Sequence, residues 1–336
     1  MQTHYPAPSS LLLITALLLG LAGCRLNDED DDRSTPEPID LGSVSVVRGY
    51  VVDQTGEPMG PEVLLTAGDA STTAQAGTGY FSLQASTRAD GRQGVKAEAP
   101  GYFPAYGNAT NGGLRLRMVP AQDWGTLPAS EGGTLTQGKV SITLAPDRLQ
   151  TADGSPYAGP VQVLANWLHP GEEDDYGQYM PGSDFRAVNA AGQEGVMLSY
   201  GLMALQLRTP QGARLYQRNA PGKTANAQPT AARVEVESPV LPSPEARTWV
   251  YDEERGVWVE GDRLQRDGTI YRFPINPDLT WCNIDAWSQW GELQGQILDC
   301  KGKPVPGAEL RVNEPFFSPH VVAGEGGRFS VRVPAG

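Results

Sequence analysis

The side chains with the widest chemical reach in this chain are few: Cys24, Cys282 and Cys300, with His4, His169 and His320. A serine or cysteine nucleophile needs a base beside it, and neither a G-x-S-x-G turn nor a reactive-cysteine context appears. GxxxxGK[ST], GxGxxG behind a strand and HExxH are also absent, so phosphate-cradling, dinucleotide and zincin chemistry have no sequence support. A glycosidase needs two carboxylates on rigid strands. Acids are plentiful, but they fall mostly in turns. The densest cluster is HPGEEDDYGQYMPG from His169, where Glu172, Asp174 and Asp175 offer hard oxygens suited to Ca²⁺. The plainer reading, which we favour, is a solvated loop bounded by Gly and Pro. Trp249, Tyr251, Trp258, Trp281, Trp287 and Trp290 raise a second possibility, an aromatic face that stacks on sugar rings. Paired tryptophans in a hairpin more often bury one another, and core packing is the favoured reading.

Stepping out from Cys24, the chain changes character abruptly. Leu11–Gly23 is apolar and has the length of a secretory core, too short to cross a bilayer comfortably. Leu21-Ala22-Gly23-Cys24 resembles a bacterial lipobox. The resemblance implies cleavage after Gly23 (residues 1–23 being the signal peptide) and diacylglycerol on the Cys24 thiol, with palmitate-type acylation. The segment before the apolar run has no Lys or Arg, a departure from the usual leader. Residues 24–43 read as an acidic, extended tether: Asn27-Asp28-Glu29-Asp30-Asp31-Asp32 self-repels, and Pro-rich sequence follows. By resemblance to enterobacterial sorting, Arg25 after the lipidated cysteine favours the outer membrane. Several acyl chains together hold a protein on a membrane stably.

In an oxidising compartment the two remaining thiols, Cys282 and Cys300, are expected to pair. A bridge closing that loop would contribute on the order of 3 kcal/mol. Two unpaired cysteines are the alternative, because sequence does not reveal Cα separation. A metal site is disfavoured, as neither has a CxxC partner or a nearby histidine.

The elements that must position these groups are strands. Gly (40) and Pro (28) are abundant, and the 39% hydrophobic content is too high for a disordered chain. A formal charge of −13 disfavours nucleic-acid binding. The expected fold class is all-β, a multidomain set of β-sandwiches. An internal repeat supports it: RGYVVDQTGEPMG from Arg48 aligns with QGQILDCKGKPVPG from Gln294, so that Gly49, Asp53, Gly56 and Pro58 match Gly295, Asp299, Gly302 and Pro304. GYFSL from Gly79 matches GRFSV from Gly327. Each copy reads as strand, D-x-x-G-x-P turn, strand.

This pattern, with Gly101-Tyr102 late in the first copy, resembles the carboxypeptidase regulatory-like family. The resemblance implies a small transthyretin-like sandwich over residues 44–120 and the start of a second over 291–336, neither with catalytic groups. The second copy ends soon after its matching Phe329. It therefore reads as a fragment of a longer product or a segment that folds against a partner, with the fragment preferred. Residues 121–290 form a larger β-domain. There Met180-Pro181-Gly182, the Gly201-Leu202-Met203 strand, the Trp249–Trp258 hairpin and Trp281-Cys282-Asn283-Ile284-Asp285 are similar to the extracellular domain shared by the cartilage intermediate layer protein and astroprincin family. Cys282 is an insertion relative to that family's closing motif.

The expected function is therefore non-enzymatic: a lipid-anchored cell-envelope protein that binds, adheres or scaffolds. A carbohydrate-binding accessory lipoprotein is the first alternative, and a secreted hydrolase with an unrecognised carboxylate site the second. No cofactor is expected. The expected partners are a membrane through the lipid, and a protein or glycan of unstated identity.

Overall fold

Strand alternation sets the architecture. In Tyr80–Ser86 every second residue is buried, which leaves one face for a core and one for water. The structure, a computed structural model, describes residues 44–335 apart from 89–90, 110–112, 171, 174–175, 219–230, 239–242 and 313–315. Residues 41–336 belong to one compact unit. Among the described residues it is all β, with only short 3₁₀ turns such as Tyr176–Gln178 and Glu325–Gly327.

The first sandwich faces a three-stranded sheet against a four-stranded one. Val44–Val52 lies at the centre of the first sheet, antiparallel to Tyr80–Ser86 and parallel to Gly113–Arg117. Leu64–Ala67 and Gln93–Glu98 lie at the centre of the second. Val47, Val51, Phe81 and Leu116 meet Leu65, Val95 and Ala97 between the sheets.

A nine-stranded sheet follows, built on the long strand Glu194–Arg208. One face packs on a five-stranded sheet through Val163, Leu205, Ile284, Val234 and Phe273. The other packs on Phe103 and Tyr106 of the first sandwich, on Tyr176 and Met180, and on Phe317. Being covered on both faces explains why Glu194–Arg208 reads as a nearly continuous apolar run.

The repeat is real in three dimensions. Asp53 accepts from the backbone N–H of Thr55 and Glu57 at 2.8 and 3.0 Å, and Asp299 from those of Lys301 and Lys303 at 2.8 and 2.9 Å. Gly56 and Gly302 adopt φ of 90° and 78°, which the turn requires and a side chain would strain. Gly49 lies opposite Phe81, and Gly295 opposite Phe329. The copies differ in what covers them. Val47 and Val52 are 0% and 3% exposed, whereas their counterparts Leu293 and Leu298 are 46% and 48% exposed. Trp290–Gln296 pairs with Arg328–Pro334 in a two-stranded sheet, without a described equivalent of Gly113–Arg117 on its other edge.

The expected Cys282–Cys300 bridge is not formed, and both thiols are free. Cys282 lies in the strand Trp281–Ser288 and points into the core between the nine- and five-stranded sheets, while Cys300 is exposed on the Asp299 turn. Trp281 faces one core and Cys282 the other.

Candidate functional site

The motif residues converge on one place, the joint between the first sandwich and the nine-stranded sheet. The hairpin Arg247–Asp252 and Val257–Arg263 turns through Gly256, whose N–H donates to the Asp252 carbonyl at 2.7 Å. The Asp252 carboxylate accepts from the N–H of Arg255 at 2.9 Å. Gly256 has φ of 62°, and a Cβ there would collide with the Arg88 guanidinium and Asn108. The aspartate and glycine of the hairpin motif are thus demanded by the turn and by what grips it.

Two arginines of the first sandwich provide the grip. Arg92, 3% exposed, donates to the Gly256 carbonyl and to Asp184, both at 3.0 Å. Arg88 donates to Asn108 at 2.7 Å and to the Glu253 carbonyl at 3.3 Å. Asn108 in turn donates to the Gly256 carbonyl at 2.8 Å. A third arginine, Arg117, reaches Gln178 at 3.1 Å and the Tyr179 hydroxyl at 3.3 Å, with its guanidinium 5.2 Å from the Tyr179 ring centre. A planar, multi-donor cation suits several backbone carbonyls at once.

The tryptophans complete the joint. Trp249, Tyr251 and Trp258 are 1%, 4% and 0% exposed, so they offer no face to a sugar. The Trp258 indole donates to the Pro181 carbonyl at 3.0 Å, Trp249 to that of Asp285 at 3.1 Å and Trp281 to that of Pro104 at 2.8 Å. Tyr251 sits between Tyr106 and Trp258, each 5.3 Å away by ring centres. Gly182 donates to the Tyr106 carbonyl at 2.9 Å. Trp287 and Trp290 are half-buried, and the Arg332 guanidinium lies 3.8 Å over the Trp290 ring.

Beneath the joint lies a buried polar cluster. The Tyr176 hydroxyl bonds Ser199 at 2.7 Å, Ser199 donates to Asn283 at 2.9 Å, and Asn283 contacts the Met180 sulfur at 3.1 Å. Asp285, across the strand pair from Ser199, is 0% exposed; neither carboxylate oxygen has a well-formed hydrogen bond, and burial outweighs the Ser199 hydroxyl and Tyr200 backbone that favour its charged form. Burial pushes its carboxyl well above the ordinary range. Burial likewise pushes the Cys282 thiol up, which makes it a poor nucleophile.

A second set of ion pairs ties down the C-terminal segment. Glu309 takes Arg115 of the first sandwich at 2.6 Å and His320 at 3.3 Å. Those partners, His320 first, hold its carboxyl down at about 2 although partial burial opposes them. Glu194 takes Arg186 at 2.6 Å and Arg332 at 3.0 Å. Gly177 closes on the same segment, where a Cβ would strike the Ser318 carbonyl, and its N–H donates to the Ser318 hydroxyl at 3.1 Å.

Of the acidic loop, Glu172 is exposed, and Asp174 and Asp175 lie outside the described residues, as does Cys24. Burial lowers the affinity of His169 for a proton. Among the described residues no three His, Cys, Asp or Glu side chains converge as metal ligands. Sequence reasoning missed Arg88, Arg92, Arg117 and Asn108, which belong to no motif. Arg88 and Arg92 lie in the connection between Tyr80–Ser86 and Gln93–Glu98, where a charged residue reads as an ordinary solvated loop, and Arg117 ends the strand Gly113–Arg117.

No family profile matches the chain. It is 29% identical over 157 residues to mouse cartilage intermediate layer protein 2, covering 44% of this chain and 12% of that protein. Against the human protein of the same name the identity is 26% over 152 residues, covering 43% and 12%. The chain thus spans about an eighth of the length of these relatives. A solved structure, the major pilin subunit BcpA of Bacillus cereus, aligns over 86% of this chain and 85% of its own at 10% identity, with a TM-score of 0.17.

Proposed function

We propose that this chain is a non-enzymatic protein of a bacterial cell envelope, held by a lipid on Cys24, in which rigid β-modules serve as a scaffold or adhesive body. In this reading the first sandwich and the C-terminal copy are carboxypeptidase regulatory-like modules, and residues 24–43 are the tether that lifts them from an outer membrane. One observation carries it: residues of the most specific motifs, Gly182, Gly256 and Trp281, are occupied in bonds to Tyr106, Arg92, Asn108 and Pro104 of the first sandwich, while Trp258 and Asn283 brace Pro181 and Met180 behind them. An enzyme of this size would be expected to aim its distinctive polar residues at a cleft. These are aimed at each other. The partial similarity to proteins named for cartilage supports an extracellular setting.

The experiment compares the chain with its Cys24→Ser variant in cells, by detergent partitioning and by the mass of the mature N-terminus. The parent should partition with detergent and begin at an acylated Cys24, and the variant should not. Equal partitioning of the two would contradict the anchor.

A further inference from the structure

The exposed aromatic face of this protein is not made of tryptophan. Tyr50 and Tyr80 are paired across adjacent strands, with ring centres 5.6 Å apart and planes at 63°. Tyr50 is 47% exposed, one of the few large apolar-bodied side chains on the surface. An edge-to-face contact of this kind covers less ring face than a stack would.

The pair lies in a groove of about 700 Å³, whose floor is the outer face of the three-stranded sheet and whose wall is the C-terminal segment. Register places Tyr80, Tyr50 and Arg115 in one row across the floor, and Arg48 in the next. Arg115 is held by Glu309 on the wall. Arg48 and Glu325 also line the groove and are exposed, and among the described residues neither has a side-chain partner. The groove therefore presents an aromatic platform, one unpaired donor and one unpaired acceptor.

The internal repeat shows that the fold does not require these tyrosines. Both copies keep the glycine opposite the phenylalanine, the aspartate-braced turn and the positive-φ glycine. At the positions of Tyr50 and Tyr80 the second copy has Gln296 and Arg328, paired in the same register. The strand pair and its turn thus form without the rings, which are partly in water.

We propose that this groove binds an uncharged saccharide, with the apolar face of a pyranose ring stacked on Tyr50 and hydroxyls shared between Arg48 as donor and Glu325 as acceptor. A flat ring with an apolar face and a polar rim fits these groups, and one free cation balanced by one free anion favours a ligand without net charge. The inference deepens the surface-binding reading given above and rests on it.

The test is affinity electrophoresis of the full chain in gels containing soluble neutral polysaccharides (dextran, xyloglucan, galactomannan, glycol chitin), with an acidic one, alginate, as the charged arm. Retardation by at least one neutral polysaccharide is expected. Tyr50→Ala should weaken it at least tenfold, Arg48→Ala should weaken it less, and Tyr50→Phe, which keeps the ring, should preserve it. Leu64→Ala, an exposed apolar side chain outside the groove, should leave it unchanged. Far-ultraviolet circular dichroism checks that each variant is folded. Absence of retardation throughout, retardation by alginate alone, or binding that survives both Tyr50→Ala and Arg48→Ala would overturn the site. A chain that binds none of these yet partitions with detergent loses the saccharide site and keeps the surface-scaffold reading; loss of partitioning strikes the latter instead.

Discussion

Asp285 is a carboxyl group sealed in the protein, its oxygens without a well-formed hydrogen bond. Its native pKa lies above the unfolded value, so the folded state holds a proton that the unfolded state releases as pH rises. Native stability contributed by this group is therefore greatest below the ordinary carboxyl range and falls as pH climbs above it. An amide of the same shape avoids that penalty. Asp285→Asn should stabilise the protein at pH 7 by about 1–3 kcal/mol and have little effect near pH 4, read from denaturant midpoints at the two values. Arg92 is the opposite case, a buried cation whose partners are all satisfied by it. Arg92→Ala takes one donor from the Gly256 carbonyl and leaves Asp184 without its cation, and should cost about 2 kcal/mol by urea titration. Arg92→Lys should recover only part of this, since an ammonium cannot reproduce the fork that spans Asp184 and the hairpin turn.

At the scale of elements, the strands and turns were legible because their rules are local. Alternation marked the sandwich strands, and D-x-x-G-x-P marked two turns that prove to have the same hydrogen bonds. The Trp249–Trp258 hairpin was legible as a hairpin with buried rings, though not as the part that the first sandwich grips. That grip depends on Arg88 and Arg92 meeting backbone carbonyls some 160 positions away, and backbone acceptors carry no sequence signature. The disulfide failed for a related reason: compartment and cysteine count suggest pairing, whereas the pleat decides which core Cys282 faces. Thiol labelling of the native protein should therefore modify Cys300 within minutes and Cys282 only after unfolding, as followed by mass spectrometry. The C-terminal segment makes its own prediction. Glu309 has a carboxyl held below its unfolded value, so its contribution is complete above about pH 4.5 and is lost as pH falls toward 2. Amide exchange in Glu309–Arg311 and His320–Val322 should accelerate relative to the core across that window, and Glu309→Gln should remove the pH-dependent part of the change.

For the whole molecule, the account turns on rigidity. Modules joined by a linker would leave these motif residues free for ligands, but here Gly256, Trp281 and three arginines are spent across the joint. The proposed saccharide groove depends on the same rigidity, because its floor and wall come from segments far apart in sequence, joined across the groove by the Arg115–Glu309 ion pair. The most direct measurement is equilibrium unfolding in urea followed by two independent probes. One is tryptophan emission, which reports the nine-stranded sheet. The other is a fluorophore on a single cysteine replacing exposed Ser82 of the first sandwich, in a background of Cys24→Ser, Cys282→Ala and Cys300→Ser. The account predicts coincident transitions that separate when Arg88 and Arg92 are both changed to alanine. Two separate transitions in the parent with intact arginines would contradict it.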